Sequence, residues 1–186
     1  MTGPVSRRRF TADDYHRMAA CGILAEDDRV ELLDGDIVEM TPIGPRHLAR
    51  VDRLNDLLAH RFHGRAIVRV QGSIRLDPRS EPQPDLTLLK HRPDFYDRIA
   101  TGPGDVLLMI EVGDTSADFD REVKLPLYAR DGIPEVWLVN LSGGRLEVYA
   151  TPEGAIYRDA CFLERGESIA PTAFPDLVLQ LDDILG

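Results

Sequence analysis

The sequence predicts an α/β (α+β) fold: a mixed β-sheet flanked by helices, with a β-hairpin near the N-terminus. Three observations carry this. Leu48, Val51, Leu54, Leu58 and Phe62 recur at helical spacing. Short apolar runs at 67–70, 74–76, 86–89, 106–112 and 136–139 read as strands. Asp34-Gly35 joins two further runs with the residue pair that supplies both positive-φ positions of a type I′ turn. The alternation of hairpin, helix, strands, helix and strands requires helices packed on a sheet.

The elements follow in order. Thr11 precedes Ala12-Asp13-Asp14, an N-cap with acids in the first turn, and predicts a short helix to about Ala20. Val30 to Met40 is the hairpin. A helix over about 46–62 follows Pro45, with Arg50, Arg53 and Asp56 off its apolar stripe and His47 on it. Gln71-Gly72 interrupts a strand, which marks a bulge or a close backbone approach, and places Gln71 within reach of a neighbouring strand. Val106 to Val112 is almost wholly apolar and belongs in the middle of a sheet. Thr115 with Asp118 three residues on begins a second helix, read as capping, that runs to about Arg130 and stops at Gly132. Pro126 should kink that helix or displace its start. Gly143-Gly144 turns the strand at 136–139 into another at 145–149.

A chain of 186 residues suggests one domain, with its core over about 10–185. Its 43% hydrophobic and 29% charged residues exclude disorder and a membrane-embedded class. Arg7 to Arg9 precede no apolar segment, so no signal peptide is expected. Two cysteines, Cys21 and Cys161, build neither a disulfide framework nor a cysteine zinc site, which suits the cytoplasm and reads as two buried small hydrophobes. The net charge of -10 argues against coating nucleic acid non-specifically. That total hides a basic segment, because residues 41–75 carry seven arginines against Asp52 and Asp56. Arg46, Arg50 and Arg53 in it are candidate phosphate contacts, against the plainer reading of a solvated helix face.

Chemistry concentrates on Asp85, Glu111 and Lys124. Asp85 follows Pro84 at the start of one strand, and Glu111 lies near the end of the central one. A carboxylate on an apolar strand must be paired or metal-bound to offset its desolvation. Strands about 4.8 Å apart let two carboxylates share one divalent cation. Lys124, on the following helix, lies one turn from Leu127 and Tyr128 and can extend its ammonium toward the strand ends. Two carboxylates with a lysine nearby suit metal-assisted phosphodiester hydrolysis. Tyr128 and Trp137 read as core residues. His47 is either a satisfied core histidine or a base or phosphate contact by the metal.

The ordered set Pro84-Asp85, Glu111-Val112 and Lys124 resembles a permuted PD-(D/E)XK motif. The flanking segments, Glu31 to Met40, Pro45-Arg46-His47, Ile110 to Ser116 and Lys124 to Val139, resemble the Uma family of "putative restriction endonucleases" over about residues 10 to 185. The resemblance implies a restriction-endonuclease-like core and an Mg²⁺- or Mn²⁺-dependent endodeoxyribonuclease. Its implied metal ligands are Asp85, Glu111, the carbonyl of Val112 and, from the hairpin, Glu31. Gly113 stands at the usual E-x-K lysine position, so Lys124 takes that role. The implied partner is DNA, cut by a homodimer whose two-fold axis serves both strands. The alternative is a non-catalytic DNA-binding or interaction module that is a remnant of the nuclease fold. A small-nucleotide phosphohydrolase ranks last, because no glycine-rich phosphate loop is present.

Overall fold

The structure is a computed structural model that describes residues 7–25, 27–40 and 44–186. It opens with α1 (Ala12–Ala20), where the Thr11 side chain accepts from the Asp14 amide and Asp14 accepts in return from Thr11. The hairpin consists of β1 (Val30–Leu33) and β2 (Asp36–Glu39). Leu33 pairs with Asp36, and Asp34 and Gly35 at φ 47° and 82° form the two-residue turn that an Asp-Gly pair favours. Then comes α2 (Pro45–Arg61), with Pro45 in its first turn.

The main sheet has six strands: β3 (Ala66–Val70), β4 (Leu86–Lys90), β5 (Val106–Gly113), β6 (Glu135–Asn140), β7 (Arg145–Glu153) and β8 (Ile156–Leu163), in that spatial order. Only β5 and β6 run parallel; every other neighbour is antiparallel. Ser168–Ile169 (β9) and Leu179–Gln180 (β10) form a small ribbon that leads into α5 (Leu181–Leu185). Alternation along β5 divides the core. Leu108, Ile110 and Val112 pack with Val51, Leu54 and Leu58 of α2 and with α5, while Met109 faces the opposite side. Glu111 shares the Met109 face, two residues on along the strand.

The segment 74–76 is not a strand, although it is expected to be one. Ile74 and Leu76 are buried, but their amides bond to Pro82 and Ser80 carbonyls across a loop. Pro78, Pro82 and Pro84 bring no amide hydrogens, so a regular ladder cannot continue there. Both cysteines are exposed rather than buried: Cys21 caps the C-terminus of α1, and Cys161 lies on β8 at the sheet edge. Leu48 is likewise half-exposed, leaving His47 as the inward residue of the first turn of α2.

The helix after β5 is the least regular element. It consists of α3 (Ala117–Phe119), a π-helical turn over Asp120–Lys124 and α4 (Leu125–Arg130). Pro126 lacks an amide and crowds the preceding turn, and widening that turn to a π-bulge accommodates both effects. Ser116, not Thr115, is the N-cap, and no side chain caps the helix. The anticipated Thr115–Asp118 capping pair is absent because Asp118 turns to Arg121.

Arg121 also ties this helix to the sheet through Glu147 of β7, whose buried carboxylate accepts from Arg121, Asn140, Arg145 and Tyr149. Burial alone would raise its pKa, but these four donors more than reverse that and hold it at about 2. A depressed carboxylate contributes stability above its ordinary pKa and loses it as pH falls through the folded value. The contribution is up to about 3 kcal/mol, lost between about pH 5 and 2. Urea midpoints measured across that range should therefore fall steeply in the native protein. In Glu147→Gln the acid limb should flatten; an unchanged limb refutes the assignment.

Candidate active site

β4 and β5 bring the first two carboxylates together. Leu86 pairs with Ile110 in an antiparallel register, so Asp85, one residue earlier, lies beside Glu111. Asp85 Oδ2 accepts from the Val112 amide at 2.9 Å and lies 3.1 Å from His47 Nε2 at the first turn of α2. The π-turn and α4 supply the next groups. Lys124 Nζ lies 3.1 Å from Glu31 Oε1 and 3.3 Å from Glu111 Oε1, with Asp120 Oδ1 at 3.9 Å. Tyr128, one turn beyond Lys124, donates its hydroxyl to the same Glu111 Oε1. Glu31 arrives from the hairpin and accepts through Oε2 from the Gln83 amide, and Ser116 donates to Asp120 Oδ2. Asp85, Glu111, Glu31, Asp120 and Lys124 are all less than 10% exposed, yet all line a cavity of about 480 Å³.

Gly113 explains why the lysine is not on the strand. A Cβ there would meet the Ala117 backbone at 2.8 Å, because the chain folds back at once into α3. Position 113 therefore holds no side chain, and the cation reaches Glu111 from one element later.

Three carboxylates, Glu31, Glu111 and Asp120, lie within 4 Å of one lysine, and burial shifts the ionisation of two of them. Burial pushes Glu111 up to about 8 against the pull of Lys124, with Asp120, Asp85 and Glu31 adding to the rise. Asp120 rises to about 6, from burial first, again opposed by Lys124. Burial disfavours the Lys124 ammonium, but Glu111, Glu31 and Asp120 more than offset it, so the lysine is more basic than usual. The hydrogen bond to Asp85 raises His47 despite its burial. Tyr128 lies well above its ordinary value, chiefly from burial, and keeps its proton.

The hydrogen bonds divide the carboxylate oxygens into two sets. Glu31 spends Oε1 on Lys124 and Oε2 on Gln83. Glu111 spends only Oε1, and Asp85 only Oδ2. Among the described residues no donor reaches Glu111 Oε2 or Asp85 Oδ1. No group of three or more His, Cys, Asp or Glu side chains among them forms a protein-only metal cage. Mg²⁺ does not require one, since it is usually held by one or two carboxylates with waters completing its octahedron. Two hard oxygens that no donor among the described residues reaches, on neighbouring chain segments at a cavity wall, fit such an ion.

The structure thus brings Asp85, Glu111, Lys124, Glu31, His47 and Val112 to one cavity. It separates the arginines. Arg46 reaches Asp114 Oδ1 on the cavity rim and the Leu141 carbonyl, Arg50 bonds the Ile184 carbonyl away from it, and Arg53 is exposed. Gln71 does not line the cavity; its φ of 48° turns it aside, and Gln83 is the glutamine at the wall. Sequence reasoning missed Asp120, Tyr128 and Gln83. The first two carry a usable signal, since they lie four residues before and after Lys124 on one helix. Tyr128 was expected only in the core, and it is in the core while touching Glu111. Gln83 acts through its backbone amide, which no residue pattern reveals.

The crystal structure described as a "putative nuclease belonging to DUF820 from Anabaena variabilis ATCC 29413" superposes with a TM-score of 0.73 at 14% identity, over 95% of this chain and 97% of that one. At that identity the likeness is one of fold. The chain belongs to the Uma2 family, described as "Putative restriction endonuclease", whose model matches residues 12–182. No curated protein matches it. Among the described residues no helix is long and apolar enough to cross a membrane.

Proposed function

We propose that this chain is a metal-dependent endonuclease, one domain that hydrolyses DNA phosphodiester bonds by a PD-(D/E)XK-type mechanism. The observation that carries the reading is a pair of oxygens that no donor among the described residues reaches, Asp85 Oδ1 and Glu111 Oε2, beside a buried lysine. These two residues would hold Mg²⁺ or Mn²⁺, with the Val112 carbonyl as the adjacent main-chain oxygen. Bound there, the ion supplies Lewis acidity at a phosphoryl oxygen and a bound water of lowered pKa.

The chain's own groups have distinct tasks. Lys124 is too basic to accept a proton at neutral pH, so it serves as a fixed cation. An ammonium has three N–H groups, and Glu31 and Glu111 occupy two of them. Asp120 Oδ1, at 3.9 Å, is too far to hydrogen-bond the third, which can meet an attacking water or a phosphate oxygen as charge develops. Tyr128 holds Glu111 by Oε1 and so turns Oε2 outward. His47 and the Val112 amide do the same for Asp85, which makes His47 a positioning residue rather than the base. Glu31 acts through Lys124, both of its oxygens being committed within the chain. Arg46, Arg50 and Arg53 on α2 supply phosphate contacts, and a cytoplasmic homodimer pairs two such sites for the two strands.

Supercoiled plasmid incubated with Mg²⁺ or Mn²⁺ tests the reading. Nicking that appears with either metal and disappears in EDTA supports it. Absence of metal-dependent nicking on supercoiled, relaxed and single-stranded DNA refutes it and favours a non-catalytic remnant.

A further inference from the structure

A second cavity, of about 210 Å³, lies against the outer side of α2 and is lined by Arg46, Arg50, Leu141, Gly144, Arg165 and the C-terminal residues. Three guanidiniums converge there from distant parts of the chain. Positions 46 and 50 are one helical turn apart, and Arg165 projects from the turn between β8 and β9. This gathering of positive charge occurs in a chain of net charge -10.

The charge is only partly answered. Arg46 pairs with Asp114, and Arg165 with Asp182 and the Gly186 carbonyl. Both ion pairs are solvent-exposed, a kind that contributes little and exchanges readily. Arg50 bonds the neutral Ile184 carbonyl, and its buried Nε has no hydrogen-bond partner among the described residues. Burial and then the charges of Arg53, Arg165 and Arg46 make that guanidinium less basic than usual.

Arg46 joins this cavity to the candidate active site. One terminal nitrogen reaches Asp114 on the active-site wall, and the other reaches the Leu141 carbonyl on the arginine cavity. Guanidinium forks match phosphate oxygens in geometry and charge.

We propose that Arg46, Arg50 and Arg165 form a subsite for a backbone phosphate of DNA, adjacent to the phosphodiester being cut. It rests on the endonuclease reading and adds Arg165, which no pattern near the motif indicates. Arg53 lies outside the cavity and is not part of it.

The test is duplex-DNA binding to the full chain in EDTA, followed by fluorescence anisotropy over a range of salt. Each phosphate contact contributes about 0.9 to the slope of log affinity against log salt. Arg165→Ala should lower that slope by about 0.9 and weaken binding, with Arg165→Lys restoring most of the slope. Arg158→Ala, an exposed arginine on β8 paired with Glu153, should leave it unchanged. An unaltered slope in Arg165→Ala and in Arg50→Ala, with wild-type nicking intact, overturns the subsite and leaves the endonuclease standing. Wild-type protein that neither binds nor nicks DNA overturns both.

Discussion

Replacing Lys124 with alanine should abolish metal-dependent nicking and destabilise the protein together. The catalytic loss should be at least about 100-fold, the usual scale for removing a group that acts on charge developing in the transition state. The stability loss should reach about 3–5 kcal/mol at neutral pH, because removing one partner of a buried ion cluster leaves the others uncompensated. Lys124 sits within 3.1 to 3.9 Å of Glu31, Glu111 and Asp120, all buried. Without it, the folded state relieves repulsion by taking up protons, and the carboxylate pKa values rise further. A carboxylate raised in the folded state contributes stability that is lost as pH rises through the folded value. The variant should therefore be closest to wild type near pH 5 and fall behind as pH rises toward 8. Thermal melts across that range measure it. Lys124→Met, which keeps the stem and its packing, should show the same pH trend with a smaller cavity contribution. A pH-independent difference in both variants would mean that Lys124 is mainly packing.

Asp85→Ala should separate metal binding from DNA binding. It removes a proposed ligand oxygen, Oδ1, together with the Oδ2 acceptor for Val112 and His47. Nicking should disappear, and so should the rise in melting temperature that Mn²⁺ gives the wild type. At a metal concentration 100 times its dissociation constant, that wild-type stabilisation is about 2.7 kcal/mol. Duplex affinity in EDTA should change little, since the proposed phosphate contacts are arginines of α2 and Arg165, none of which touches Asp85. Asp85→Asn keeps an acceptor for Val112 and distinguishes lost coordination from lost structure. If Asp85→Asn retains the full metal-induced shift, Asp85 is not a ligand.

Much of the fold was legible because its signals are local. The Asp34-Gly35 turn, the Thr11 cap and the apolar stripe of α2 each depend on residues within a turn of one another, and each lies where the pattern predicts except that Leu48 faces outward. β5 was legible by its unbroken apolar run, which suits a strand with neighbours on both edges. Illegible features depend on distant partners. The prolines at 78, 82 and 84 turn an apolar run into a buried loop, which periodicity cannot register. The exposure of Cys161 follows from β8 being an edge strand, a fact of sheet order alone. Two further Pro-Asp pairs in the sequence, Pro93-Asp94 and Pro175-Asp176, are told apart from Pro84-Asp85 only in three dimensions: Asp94 is exposed and bound to Arg92, and Asp176 to Arg65. At the candidate site, Asp85, Glu111 and Lys124 could be picked out in sequence, but the division of labour among carboxylate oxygens could not. That division depends on Tyr128 and on Lys124 of the π-turn, which place donors on one oxygen of Glu111, and on Gln83, whose amide takes the second oxygen of Glu31.

The most direct test of the account is a crystal of the wild-type protein soaked in Mn²⁺, with anomalous scattering used to locate the ion. The account predicts a peak between Asp85 Oδ1 and Glu111 Oε2, at roughly 2.0–2.3 Å from each, with Lys124 still on Glu111 Oε1. A crystal in which no peak forms there, at a Mn²⁺ concentration that supports plasmid nicking in solution, would contradict it.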